Sequence, residues 1–202
     1  MCQEILSTIL GAGFVGSALL NLWVIRENRR LNEENRIFSI IQSQFNNLYA
    51  PLYTLVLQNE DTITLYKKYL REYGIRFIDK SWSDDPETKK HIKEESQNLL
   101  DTANKLINNY VVSNNERIIA LVKDNAGCVD TDDIEIFNKF EEHYKRLKVE
   151  FDLSGKLIIP FEIYNNIGDV SYLLPEFVQR VKEKHKQKVE KLKSLTLKNK
   201  DK

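Results

Sequence analysis

The sequence predicts an all-α protein in which one N-terminal transmembrane helix precedes a cytoplasmic helical bundle, with a short extended segment near 156–164. Three observations lead there. Residues Ile5 to Ile25 carry no charge, although charged residues make up 30% of the chain. Glycine (7) and proline (4) are too scarce for a turn-rich β fold. Beyond the first span, apolar residues recur at three- and four-residue steps, the period of an amphipathic helix.

At ~1.5 Å rise per residue the span from Ile5 to Ile25 measures about 31 Å, close to the ~30 Å hydrocarbon core of a bilayer. Trp23 stands near its end, where membrane helices carry interfacial aromatics, and Arg26, Arg29 and Arg30 follow. Only Glu4 and the terminal amine precede it. The positive-inside bias then puts the N-terminus outside and the main domain in the cytoplasm. A cleaved signal peptide would carry its positive charge before a shorter apolar core and end in a small-x-small site, and Leu22 to Ile25 offers none. Gly11, Gly13 and Gly16 spell G-x-G-x-x-G, but a dinucleotide fold needs a second strand ending in an acidic residue. The polar stretch from Arg26 to Asn35 is hostile to one.

In a lipid setting the small residues have a different use. Thr8, Ala12 and Gly16 fall four residues apart, and Gly13 pairs with Ser17 at the same step, so helix backbones can approach closely along this face. Asn21 adds a polar group at membrane depth. The expected partners are therefore membrane lipid and further copies of the chain, a homo-oligomer packed, or lined as a pore, by Thr8, Ala12, Gly13, Gly16, Ser17 and Asn21.

The domain boundaries expected are 1–26 for the anchor, 27–178 for the helical domain and 179–202 for a basic C-terminal helix or tail. Ile37 to Leu57 forms one apolar pattern, which Pro51 should kink or break near Tyr49. Asp61 is placed to cap the next helix and Gly74 to stop it. After a loop around Ser81 to Pro86 comes a long amphipathic helix, about Pro86 to Val112, with Ile92, Leu99, Leu100, Ala103, Leu106, Ile107 and Tyr110 as its stripe. Ser113 or Asn115 should cap a short helix, Glu116 to Lys123. Thr131 or Asp132 should open another that carries Ile134, Phe137, Phe140, Tyr144 and Leu147. The last helix starts at Leu173 to Glu176, with Pro175 in its first turn.

Thirty basic and thirty acidic residues cancel, so no global field draws nucleic acid or an acidic ligand. The last helix is the exception, rich in lysine from Arg180 to Lys202, and this basic tail offers a surface to a cytoplasmic protein, to RNA or to anionic headgroups. Cys2 and Cys128 match no metal or disulfide spacing, His91, His143 and His185 are scattered, and no nucleophile or phosphate-loop motif is present. No metal and no cofactor are expected. Asp130, Asp132 and Asp133 lack EF-hand spacing, and Asp132 and Asp133 fit the start of a helix better than a calcium loop.

Arg180 and His185 have the R-x4-H spacing of the HEPN ribonucleases, small helical domains that act as dimers. That resemblance implies a composite catalytic site in which His185 relays a proton from a 2′-hydroxyl and Arg180 stabilises the phosphorane. The residue after Arg180 is Val181, where active members carry a polar side chain. The anchor, the run Asn47 to Tyr53 and the run Leu99 to Tyr110 together resemble small bacterial membrane-anchored helical proteins. Among these, the chain resembles the HEPN-like membrane accessory family of type VI-B CRISPR systems. That resemblance implies a non-enzymatic, pore-forming oligomer in antiviral defence, with Arg180 and His185 as relics of a nuclease.

Overall fold

The computed structural model describes the backbone of residues 2–80, 85–154 and 173–200, and side chains at 17, 19–72, 85–148 (save 96, 100 and 104) and 173–197. The chain is all-α, and the described residues include no strand. The extended segment expected near 156–164 lies outside them. The described residues form six α-helices, in order α1 (Cys2–Gln44), α2 (Ala50–Lys80), α3 (Pro86–Leu106), α4 (Ser113–Asp124), α5 (Ile134–Ser154) and α6 (Pro175–Lys200). Two compact units divide them, one of residues 44–190 and one of residues 1–43 with 191–202.

The 44–190 unit is organised along α2. Leu52, Leu55 and Val56 of its first half, with Leu48 and Tyr49 just before it, pack against Ile118 of α4, Phe137 and Phe140 of α5, and Phe177 and Val181 of α6. Its second half packs Tyr66 and Leu70 against Ala103, Ile107 and Val111 of the returning chain. Phe177 is the keystone of the first cluster, stacked on Phe140 with ring centroids 4.1 Å apart and edge-on to Phe137 at 5.6 Å.

Several helices depart from their sequence signals, each for a packing reason. Pro51 does not break the chain's helix. A π-helical turn, Phe45–Tyr49, precedes it, and this wider turn accommodates the ring and the missing donor, so α2 continues from Ala50. Asp61 and Gly74 neither start nor stop a helix, because α2 runs on to Lys80, held by the burial of Tyr66 and Leu70. The long amphipathic helix likewise passes through a second π-helical stretch, Ile107–Val112, directly into α4, so neither Ser113 nor Asn115 acts as a cap. The change of pitch also changes the buried face. Val111 turns inward and Tyr110, expected in the stripe, is 56% exposed.

The start of α3 follows its signal closely. Asp85 accepts from the Thr88 backbone N–H at 2.9 Å, and Pro86 takes the first helical position, where no donor is needed. The 3-10 turn Thr131–Asp133 leads into α5 as expected, though Ile134 faces outward. Between α2 and α4 lies a buried polar contact. Asn59 donates to Asn115 Oδ1 at 2.8 Å and accepts from Asn114 Nδ2 at 3.0 Å. All three amides are buried, and this exchange fixes the antiparallel register of the two helices.

In the other unit, α1 carries the ion pairs Glu27–Arg30 and Glu33–Arg36 one turn apart. Leu19, Leu20, Leu22 and Trp23 are each 62% to 65% exposed. Ser17 and Asn21 are exposed as well, while the side chains of Thr8, Ala12, Gly13 and Gly16 lie outside the described residues. Among the described residues, no helix is long and apolar enough to cross a membrane.

Replacing Asn59 by Ala removes one buried hydrogen bond from Asn114 and one from Asn115. Chemical denaturation of the full chain in detergent should show a loss of about 1–3 kcal/mol, the usual cost of an unsatisfied buried polar group.

Candidate functional site

The charge-bearing residues of the 44–190 unit converge where α6 crosses the loop before α5. Arg180, Lys184 and Lys188 stand four residues apart, which puts them in one row along α6. Opposite them, the turn of Thr131–Asp133 and the residue before it present Asp130, Asp132 and Asp133. Arg180 spans two carboxylates, its Nε on Asp133 Oδ1 and its Nη2 on Asp132 Oδ2, both at 2.5 Å. Lys184 Nζ lies 2.9 Å from Asp130 Oδ2 and 3.2 Å from Asp132 Oδ2. Lys188 Nζ donates to Asp130 Oδ1 at 3.0 Å and to Gln44 Oε1 at 2.5 Å, and Gln44 in turn donates to Asp130 Oδ1 at 3.0 Å.

Tyr49 completes the network from the core side. Its hydroxyl donates to Asp133 Oδ2 at 2.6 Å and accepts from the Asp130 backbone N–H at 3.0 Å. Lys188 lies over its ring, 5.1 Å from the centroid, a cation–π contact. Asp133 is fully buried, and both of its oxygens are satisfied by these two donors. Burial and the carboxylate beside it push the Tyr49 hydroxyl well above its ordinary value, so it stays a neutral donor. For Asp130, desolvation pulls upward, but the bonds from Lys184 and Lys188 outweigh it and hold the carboxyl below its usual range. Lys184 is the mirror case, since burial lowers it and Asp130 and Asp132 raise it further.

His185 is placed apart from this row. Its ring stacks on Tyr53 with centroids 4.0 Å apart and planes 12° from parallel, and it lies 5.3 Å from Phe45. Desolvation lowers its pKa from the ordinary 6.5, which favours the neutral ring near pH 7. Five residues along a helix correspond to about 140° of rotation, so Arg180 and His185 point from different faces of α6. The structure therefore gives the two residues of the R-x4-H spacing separate surroundings, a carboxylate pair for Arg180 and an aromatic stack for His185.

The three carboxylates are matched by three cations, and no group of acidic, histidine or cysteine side chains suited to a metal ion occurs among the described residues. Chemically the arrangement is a clamp. It joins Gln44 and Tyr49 beside the start of α2, the 130–133 turn and α6 through charge-assisted bonds. The sequence reading assigned the acidic run to a helix start and the lysines to a basic tail, and so missed their pairing. The available signal was the four-residue spacing of Arg180, Lys184 and Lys188 in a chain with a single acidic run of D-x-D-D form. No family model, curated protein or solved structure matches this chain.

Asp133→Ala should destabilise the full chain by about 3–5 kcal/mol, because it leaves Arg180 and the Tyr49 hydroxyl without their acceptor. Lys182→Ala, which removes the more exposed pair with Glu60, should cost no more than ~1 kcal/mol in the same denaturation series. A pH series of melting temperatures gives a second check. Stability from the depressed Asp130 is in place above its ordinary 3.8 and is lost as pH falls through the lower native value. Stability from the raised Lys184 is in place below 10.5 and is lost as pH rises through the higher native value. Asp130→Asn should flatten the acid arm of that profile.

Proposed function

We propose that this chain is a single-pass membrane protein whose N-terminal helix crosses the bacterial inner membrane and self-associates there, leaving the 44–190 unit in the cytoplasm. The observation that carries the reading is the exposed apolar surface at the described end of the span. Leu19, Leu20, Leu22, Trp23, Val24 and Ile25 are exposed, and at ~100° per residue the six together point to all sides of α1. A helix apolar on every side requires a protein interior, a partner or lipid around it. The uncharged stretch from Ile5 to Ile25 and the arginines that follow favour lipid, and the small-residue face of Thr8, Ala12, Gly13, Gly16 and Ser17 favours helix–helix contact within it.

In this reading the chain is a defence effector or accessory, similar to the membrane accessory family named above. A cytoplasmic partner acts on the 44–190 unit, and the assembled anchors perturb the membrane, as a pore if Asn21 and the small residues line a passage. The enzyme alternative, HEPN-type RNA cleavage at the membrane, assigns the same chain a catalytic Arg180 and His185. A non-enzymatic scaffold for a cytoplasmic partner is the third form and predicts no permeabilisation.

Gly13→Ile together with Gly16→Ile should abolish the crosslinked oligomer ladder in isolated membranes and the membrane depolarisation read by a potential-sensitive dye. Normal assembly and normal depolarisation in that variant would sink the anchor-face reading. Arg180→Ala with His185→Ala separates the enzyme form, since loss of RNA cleavage with assembly intact would favour it.

A further inference from the structure

We propose that the unit of residues 1–43 and 191–202 is a docking surface for anionic phospholipid headgroups, held by Arg26, Arg29, Lys191 and Lys193. The inference rests on the membrane reading above and names the lipid class that reading requires.

The charge balance of this unit points to an external counter-ion. Its described carboxylates are Glu27, Glu33 and Glu34, and these engage Arg30 and Arg36. The side chains of Arg26, Arg29, Lys191 and Lys193 are exposed and have neither an ion pair nor a hydrogen bond among the described residues. Earlier on α6 most cations are paired, the exposed Lys186 being the exception among the described residues. Arg180, Lys182, Lys184 and Lys188 are each paired with carboxylates of the 44–190 unit. The positive surplus of α6 is therefore not spread evenly, and beyond Glu190 its described cations are left for solvent or a partner.

Position selects the partner. Arg26 and Arg29 stand one turn apart and follow the exposed Leu19 to Ile25 run without a break. Lys191 and Lys193 belong to the same compact unit. A partner that satisfies both features must present an apolar phase next to a sheet of negative charge. An anionic bilayer does so, with its phosphodiesters at the level where arginines flank a membrane helix and its surface potential reaching about one Debye length further. RNA offers the phosphates but no apolar phase for Leu19, Leu20 and Leu22, and single-stranded RNA is held on stacking platforms interleaved with cations. Among the described residues of this unit the one exposed aromatic, Trp23, is flanked by Leu22 and Val24 instead.

The test uses the full chain with Trp82→Phe, which leaves Trp23 as the reporter, reconstituted into phosphatidylcholine vesicles. A small fraction of the lipid carries brominated acyl chains, either on phosphatidylglycerol or on phosphatidylcholine. The expected result is several-fold stronger quenching of Trp23 by brominated phosphatidylglycerol, lost at high salt and lost when Arg26, Arg29, Lys191 and Lys193 are all changed to Gln. Equal quenching by the two lipids would overturn the headgroup assignment while leaving the anchor standing. Absence of quenching by either lipid would overturn both the anchor and this proposal. A lipid preference untouched by the four substitutions, with loss of binding to a labelled single-stranded RNA, would overturn it by assigning those cations to RNA.

Discussion

The structure of the 44–190 unit depends on one enclosed carboxylate. Asp133 has no solvent to turn to, so its acceptors must be filled by the protein, and they are filled from two directions: Tyr49 and Arg180. An ion pair of this kind is a weak source of stability, because desolvation offsets most of the Coulombic gain. Its effect is conditional. With every partner in place the cost is met, and with one partner gone a buried polar or charged group is left over. The clamp therefore acts chiefly as a register device, admitting α6 only where Arg180 meets Asp133 while Phe177, one turn earlier, meets Phe140. The Asn59 exchange with Asn114 and Asn115 does the same for α2 and α4 without formal charge.

The clamp also explains how one helix serves two purposes. Near its start, α6 turns Phe177 and Val181 into the core and Arg180, Lys184 and Lys188 toward the acidic turn. Past Glu190 the same helix keeps its lysines but no longer meets carboxylates among the described residues. A composition that reads as one basic tail is thus two segments with different electrostatics. His185 falls outside both, its ring covered by Tyr53 and Phe45.

Much of the helical layout was legible because it rests on local chemistry. Asp85 with Pro86 marks the start of α3, Asp130 to Asp133 the approach to α5, and Pro175 the start of α6. The signals that misled were also local and were overruled by packing. Pro51 is accommodated by a π turn that no periodicity reveals, and the π stretch at Ile107–Val112 rotates the buried face so that Val111 replaces Tyr110. The charge network was illegible for another reason. Arg180 and Asp133 are 47 residues apart, and nothing in either neighbourhood names the other. Of the candidate sites, the sequence supplied the anchor and Arg180 with His185, whereas the carboxylate partners of Arg180 came only from the fold.

The 44–190 unit is sealed by its own ion network, whereas the anchor proposed for Ile5 to Ile25 requires lipid around it. The chain's two cysteines allow a direct test, since Cys2 precedes the span and Cys128 lies in the 44–190 unit. A membrane-impermeant maleimide applied to intact spheroplasts should label Cys2 and spare Cys128, and Cys128 should react once the membrane is broken. Equal labelling of both cysteines before lysis, or labelling of Cys128 alone, would contradict the account.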